Sequence, residues 1–166
     1  MSESPPYLLD ADVLIEAANR YYAFDIAPAF WRKLEDLIGD GRVCSVDWVQ
    51  KELMKGNDQL AGWAKSNSGD AFRATGEADV VAEYRVVMGR VNDQEQFSEA
   101  AKEEFAKGAD GWLIAYAKAK RYVIVTEERL NPAIKRKVPI PNVCQAFGIR
   151  YVDTFGMLRE LGVRFS

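Results

Sequence analysis

The chain has 166 residues, of which 48% are hydrophobic and 28% charged, a balance that predicts one globular domain over 1–166 and excludes disordered and fibrous classes. It contains no histidine, which excludes Ser-His-Asp and Cys-His nucleophiles and histidine-ligated zinc, so any catalysis has to rest on carboxylates. The net charge of −3 excludes a simple basic nucleic-acid binder.

Short apolar runs alternate along the chain with segments of helical periodicity, a pattern typical of an α/β domain with a mostly parallel sheet. The clearest strands are predicted, in chain order, at 7–9, 43–45, 122–125 and 149–152. Amphipathic helices are predicted from Pro28 to the glycines at 39–41, from Val46 to Gly56, over 80–88 before Gly89, at 109–120 and at 154–161. The more polar stretches 57–76 and 92–107 are predicted to be helices with loops.

Other features of the sequence concern the environment of the protein. No apolar run approaches the roughly 20 residues of a membrane span, and segment 1–6 resembles no secretion signal, so we expect a cytoplasmic protein. Cys44 and Cys144 lack C-x-x-C spacing and are expected to be reduced and buried. Four tryptophans are expected in the core rather than as platforms for stacked bases: Trp31, Trp48, Trp63 and Trp112.

Acidic side chains follow two of the predicted strands. Asp10 comes directly after the first strand, and Asp12 follows two residues later. The third strand is followed by Thr126, Glu127 and Glu128. Ligands of an open parallel sheet bind at the carboxyl ends of its strands, so these carboxylates are candidates for a site. The alternatives are an N-cap role for Asp10 and a solvated turn for Glu127 and Glu128.

Two further carboxylates lie on predicted helices. Asp110 stands at the start of an apolar helix, where an N-cap role is again the alternative. Glu52 is expected to be partly buried, and a buried carboxylate costs free energy unless it is paired or bound to a cation. The alternative for Glu52 is an ion pair with Lys51, Lys55 or a distant arginine.

Several short motifs, in chain order, resemble those of the PIN-domain nuclease family, including its VapC-type toxins. LDADVLI at 9–15 resembles the family's L-D-T-N-V-L-I, VQKEL at 49–53 its V-x-x-E-L, ADGWLIA at 109–115 its A-D-x-x-L-I-A, and VTEE at 125–128 its V-T-N-D. Segment 140–149 resembles the family's closing part, in which a proline-initiated helix leads into the last strand, and the aromatic residues at 21–22 and 30–31 are similar to an uncharacterised bacterial branch. The resemblance implies a three-layer PIN-like α/β fold, with a central, mostly parallel sheet of about five strands flanked by helices.

The resemblance also implies metal-dependent cleavage of RNA at four carboxylates: Asp10, Glu52, Asp110 and Glu128. Three of them, Asp10, Asp110 and Glu128, would be metal ligands, whereas Glu52 would hold a second metal or orient water. Converging carboxylates repel one another unless a cation neutralises them, and oxygen-only ligands favour Mg²⁺ or Mn²⁺ over zinc.

Three residues next to these carboxylates would support them: Asp12, Thr126 and Glu127. Thr126 would donate a hydrogen bond to a carboxylate or a phosphate. Asp12 stands where the family commonly has Asn, and Glu128 where it has Asp. The longer Glu128 side chain would move a metal-bound oxygen by about one methylene.

A basic window at 118–137 would hold the RNA backbone, because an acidic site needs nearby Lys or Arg to bind a polyanion. Its net charge is +5, which leaves −8 for the rest of the chain. The RNA-binding candidates are Arg129, Lys135, Arg136 and Lys137. A solvated helix end is the alternative for 118–121. The resemblance further implies a toxin–antitoxin pair, in which a small protein masks the acidic site, and allows a homodimer.

Two other functions stay open. Asp10-x-Asp12 after a strand also resembles the first motif of haloacid-dehalogenase-like phosphatases, with Asp10 as nucleophile, Asp12 as acid and base, and Thr126 as the second motif. Of the later acidic pair of those enzymes, the sequence offers only Asp153. A degenerate PIN-like module that binds a protein is the other alternative, favoured by the Glu127-Glu128 pair in place of Asn-Asp.

Overall fold

A single parallel sheet forms the centre of the molecule, which a computed structural model describes over residues 4–67 and 69–165. Its five strands are β1 (Tyr7–Leu9), β2 (Val43–Val46), β3 (Phe72–Arg73), β4 (Val123–Val125) and β5 (Tyr151–Val152). They lie in the order β3-β2-β1-β4-β5, with every neighbouring pair parallel. Residues 1–3, which belong to the segment that resembles no secretion signal, lie outside the described ranges.

Helices connect and flank the strands. They are α1 (Ala11–Glu16), α2 (Pro28–Gly39), α3 (Asp47–Met54), α4 (Gln59–Ser66), α5 (Ala78–Asp93), α6 (Glu99–Lys107), α7 (Asp110–Lys120), α8 (Ile140–Phe147) and α9 (Thr154–Glu160). A π-helical turn at Ala17–Tyr21 extends α1. From β1 to β3 the chain moves across the sheet in one direction, and from β3 through β4 to β5 it moves in the other. Right-handed crossovers therefore place α2 on one face and α7, which leads into β4, on the opposite face. The three-layer α/β fold is the one expected from the sequence.

The point at which strand order reverses lies between β1 and β4. Tyr7 pairs with Val43 of β2 on one side and with Val123 of β4 on the other. Both β1 and β4 are fully buried, because helices cover the sheet on both faces and the side chains of these strands are hydrophobic, with the Tyr7 hydroxyl donating to Glu160. Their carboxyl ends therefore border the crevice in which open α/β sheets bind ligands.

Several element boundaries differ from the sequence-based prediction. Strand β3 lies in the stretch predicted as helices with loops, and it is only two residues long at the edge of the sheet. The strand predicted at 149–152 is confined to Tyr151–Val152. Val46 ends β2 instead of opening a helix. Helix α5 runs through Gly89 to Asp93, because Val87 and Val91 keep its buried side in the core beyond the glycine.

The two cysteines and the four tryptophans lie in the core or pack against it. Cys44 and Cys144 are both buried and free, as predicted. Trp31 and Trp63 are buried, but the prediction is wrong in part for Trp48 and Trp112, which pack against the core and keep part of their surface exposed. No helix within the described ranges has the length and apolarity needed to cross a membrane.

Candidate metal and RNA site

Asp10 leaves strand β1 at the point where the strand order reverses. Its backbone N–H donates to the carbonyl of Val125 on β4 at 3.0 Å, and its side chain is 3% exposed. The Thr126 hydroxyl donates to Oδ2 of Asp10 at 3.0 Å. Asp10 occupies the N-cap position of α1, but its carboxylate makes no capping hydrogen bond, so the N-cap alternative is wrong for this side chain. The carboxylate instead faces β4.

Three carboxylates meet at this edge. Oxygens of Asp10, Asp12 and Glu128 all lie within 4.8 Å of one another. Burial raises the pKa of Asp10 well above its usual range. The charges of Asp110, Asp12 and Glu128 raise it further, whereas the hydrogen bond from Thr126 lowers it. The free energy cost of this crowding is what a bound cation would relieve.

Glu128 is held on both of its oxygens. Oε1 accepts a hydrogen bond from the backbone N–H of Ile140, the first residue of α8, at 2.9 Å. Oε2 lies 3.3 Å from Nζ of Lys137. The backbone N–H of Glu128 donates to the Thr126 hydroxyl at 3.1 Å. The solvated-turn alternative is therefore wrong for Glu128, whose carboxylate has a fixed position.

Asp110 is the first residue of α7, on the same edge of the sheet. Its helix has Ala109 at the N-cap and no side-chain capping bond, so the structure does not support the capping alternative. Burial raises the pKa of Asp110 to about 7, and the charges of Glu128 and Glu52 act in the same direction. Lys137 lowers this pKa in part. Asp110 thus belongs electrostatically to the cluster, although its oxygens lie outside the 4.8 Å group.

Glu52 is placed at the margin of the cluster. The residue as a whole is exposed, whereas its carboxyl group is partly buried, so the predicted partial burial is confirmed for the carboxyl group. Partial burial of its carboxyl group and the charge of Asp12 still raise its pKa, and Lys55 lowers it. In the part of the chain that the structure describes, no salt bridge is formed by Glu52, so the ion pair that was its alternative role is not found.

The carboxylates of Asp12 and Glu127, which were expected to support the metal ligands, lie in different places. Asp12 is exposed and shares the 4.8 Å group, so its carboxylate lies among the candidate ligands rather than behind them. Its spacing in D-x-D is the sequence signal for this placement. Glu127 turns the other way, and its Oε1 accepts hydrogen bonds from the backbone N–H and the hydroxyl of Thr154 at the start of α9. Glu127 thus ties β4 to α9.

Asp153 is engaged elsewhere. Its carboxylate caps α9 by accepting a hydrogen bond from the backbone N–H of Gly156 at 2.7 Å. This side chain is the one that the phosphatase alternative requires as a late acidic residue. The capping role gives Asp153 a sufficient structural reason, so the structure adds no support to that alternative.

The basic window divides into two parts. Two lysines of the window form ion pairs with acidic residues of α5. Nζ of Lys118 lies 2.5 Å from Glu83. Nζ of Lys120 lies 3.1 Å from Asp79. These lysines are therefore neutralised within the fold. Lys137, in contrast, lies beside Glu128, and its pKa is raised by the charges of Glu128 and Asp110 against a lowering by burial.

The other RNA-binding candidates lie on the connection between β4 and α8. Arg129, Lys135 and Arg136 are exposed there. The connection is tied to the α5–α6 loop, because the backbone N–H of Ser98 donates to the carbonyl of Lys135 at 2.8 Å. A cavity of about 460 Å³ opens beside it, lined by residues 126–130 and 151–153. Positive charge thus borders one side of the acidic cluster.

A family model described as "Domain of unknown function (DUF4411)" matches residues 7–165. The chain belongs to the DUF4411 family. Among curated proteins, none matches this DUF4411 chain. A chain of the crystal structure of VapBC2 from Rickettsia felis bound to a DNA fragment from their promoter has a similar fold, with a TM-score of 0.52 and 13% sequence identity. The match covers 89% of the DUF4411 chain and 97% of that chain, and it supports the PIN-like fold implied by the sequence motifs.

The donor set of the DUF4411 chain fits a hard divalent cation. All three side chains of the 4.8 Å group offer carboxylate oxygens, and the chain has no histidine that would favour zinc. The raised pKa values of Asp10 and Asp110 are what unneutralised ligands of a cation are expected to show.

Proposed function

We propose that this protein is a Mg²⁺- or Mn²⁺-dependent endoribonuclease with a PIN-like fold. The observation that carries the proposal is the convergence of Asp10, Asp12 and Glu128 within 4.8 Å where the strand order reverses. The similarity of the fold to a chain of a VapBC2 structure supports the nuclease interpretation over the phosphatase one. The resemblance of the sequence motifs to those of PIN-domain nucleases points to RNA as the substrate.

The side chains of the cluster would have different roles in binding the cation and in cleavage. Asp10, Asp110 and Glu128 would hold the cation, and Asp12, whose oxygen lies close to those of Asp10 and Glu128, would join them. Thr126 keeps one oxygen of Asp10 fixed by its hydrogen bond. When bound, the cation would supply Lewis-acid chemistry that activates water for attack on phosphorus and stabilises charge on the leaving oxygen. Glu52, at the margin, would orient water or help to hold a second cation.

The protonation of Asp110 gives the proposed site a pH dependence. The pKa of this carboxyl is about 7 without a cation, so near neutral pH a cation has to displace its proton. Metal affinity should therefore rise with pH through this range and level off above it. Lys137, 3.3 Å from Glu128, would contact the phosphate while neutralising part of the cluster.

Single-turnover cleavage of a mixed-sequence single-stranded RNA, with Mg²⁺, Mn²⁺ or EDTA, tests the proposal. The wild type should cleave only with a cation, and Asp110→Asn should lower the rate at saturating RNA, because it removes a ligand used in the transition state. Asp36→Asn, an exposed carboxylate of α2, is the matched control and should cleave like the wild type. Absence of cleavage, together with absence of metal-induced stabilisation, would favour the degenerate-module alternative.

We further propose that the protein is the toxin of a toxin–antitoxin pair. The similarity of the fold to a chain of VapBC2, which was crystallised with a DNA fragment from their promoter, supports an antitoxin partner. The antitoxin would mask the acidic cluster. A homodimer of this chain would be compatible with such a pair. Induced expression should arrest growth with the wild type but not with Asp110→Asn, and co-expression of an adjoining small reading frame should relieve the arrest.

A further inference from the structure

Three aromatic rings from three different helices form a stack beside the acidic cluster. Tyr84 of α5 and Trp112 of α7 stack with ring centroids 3.7 Å apart and an interplanar angle of 12°. Trp112 also stacks with Trp48 of α3, with centroids 5.7 Å apart and an angle of 11°. We call Tyr84, Trp112 and Trp48 the aromatic stack. All three rings pack against the core and keep part of their surface exposed.

The aromatic stack adjoins the carboxylates. Trp48 and Glu52 are four residues apart on α3, so they lie on the same face of that helix about one turn apart. Trp112 lies in the first turn of α7, which begins with Asp110. Tyr84 covers the same turn, because a Cβ built on Gly111 would lie 3.2 Å from its Cε1. The aromatic stack therefore packs at the first turn of α7, which begins with Asp110, and Trp48 lies one turn of α3 from Glu52.

Positive charge accompanies the exposed end of the aromatic stack. Nζ of Lys51 lies 4.9 Å from the centroid of the Trp48 ring. Lys51 and Lys55 are both exposed on α3, on the same element as Trp48. Because Lys51 is exposed, a planar ligand can displace its ammonium from the ring, and the ammonium can then contact a neighbouring phosphate. Aromatic faces next to lysines are the combination that binds single-stranded nucleic acid.

We infer that the aromatic stack is a nucleobase subsite, in which an unpaired base of single-stranded RNA stacks on Trp48 while the adjoining phosphate contacts Lys51. The inference rests on the proposed function, since it places this base next to the phosphate that the acidic cluster would cleave. The basic connection at 129–137 borders the same cluster through Lys137, which would contact another phosphate of the same strand. Double-stranded RNA, whose bases are already stacked, would not use this subsite.

Binding to matched strands with and without bases tests the inference. A labelled 12-nucleotide single-stranded RNA and an abasic strand of the same length are titrated in EDTA by fluorescence anisotropy. Trp48→Leu should weaken binding of the RNA at least about fivefold, because stacking on one aromatic ring contributes about 1 to 3 kcal/mol per base. It should leave binding of the abasic strand unchanged. Trp48→Phe should restore most of the affinity for bases.

Phe155→Leu is the matched control, because Phe155 is an exposed ring on α9, away from the aromatic stack. It should bind both strands like the wild type, and thermal unfolding should show that all variants are folded. The inference is overturned if Trp48→Leu loses affinity equally for both strands, if it loses none, or if the wild type does not prefer the strand with bases. Cleavage in Mn²⁺ is measured in parallel. Intact base-dependent binding without cleavage would reject the proposed nuclease function and leave the base subsite standing.

Discussion

Replacing Asp110 by Asn should stabilise the metal-free protein, although it removes a charged group from the proposed site. The pKa of Asp110 is raised from 3.8 to about 7 in the folded state by burial and by neighbouring charges. The folded state therefore holds the Asp110 proton more tightly than the unfolded state. Above the folded pKa the ionised carboxyl opposes folding, and below the unfolded pKa this penalty is absent.

The expected gain in unfolding free energy follows from the pKa shift of Asp110. Each pKa unit corresponds to about 1.36 kcal/mol, and protons are shared with the neighbouring carboxyls, so we expect a gain of about 2 to 4 kcal/mol at pH 8. For a chain of this length that is roughly 5 to 15 °C in melting temperature. The gain should shrink steadily as the pH is lowered from 7 towards 4, because the wild-type carboxyl becomes protonated in the folded state.

Denaturant unfolding in EDTA at pH 8 and pH 5 measures this difference. Asp36→Asn, exposed on α2, is the control and should change the unfolding free energy by no more than about 0.5 kcal/mol at either pH. Mg²⁺ or Mn²⁺ should stabilise the wild type by about 2.7 kcal/mol at a hundredfold excess over its dissociation constant, and Asp110→Asn much less. If Asp110→Asn is less stable than the wild type at pH 8 in EDTA, the carboxylates do not repel one another and the reasoning fails.

Three further outcomes are expected. Asp10→Asn should abolish the metal-induced rise in melting temperature measured by calorimetry, because it removes a ligand, and an undiminished rise would place the cation elsewhere. Thr126→Val should lower the unfolding free energy by about 1 to 3 kcal/mol in denaturant titrations, since it removes the donor to buried Asp10, and a neutral effect would contradict that hydrogen bond. Joint replacement of Lys135, Arg136 and Lys137 by Ala should reduce the log–log salt slope of RNA binding by roughly 0.7 to 0.9 for each phosphate that these side chains neutralise, and an unchanged slope would show a merely solvated surface.

Local patterns were enough to predict the central strands and the elements that carry the acidic residues. The runs that form β1, β2 and β4 are short, mostly apolar and buried throughout, and a polar residue follows each of them, so their positions follow from the pattern of hydrophobicity. Asp10 and Glu128 were predicted at strand ends for the same reason. β3 escaped prediction because a two-residue edge strand has no periodicity that distinguishes it from a loop.

Contacts between distant residues decided the rest. The pairing of β1 with β4 places Thr126 on Asp10 across 116 residues, a contact that neither segment encodes by itself. The same pairing brings Glu128 to Asp12, whereas Thr154 draws Glu127 away. Only the tertiary structure determined which carboxylates face one another.

The tryptophans also separate what the sequence determines from what the tertiary structure decides. The sequence by itself determined that the chain folds as an α/β layer structure without histidine chemistry, because composition and apolar periodicity are properties of the chain alone. The packing of α3 against α7 decided that Trp48 and Trp112 stack on one another and remain partly exposed. Burial of a large side chain depends on what other helices place over it, and that information is spread over the whole chain.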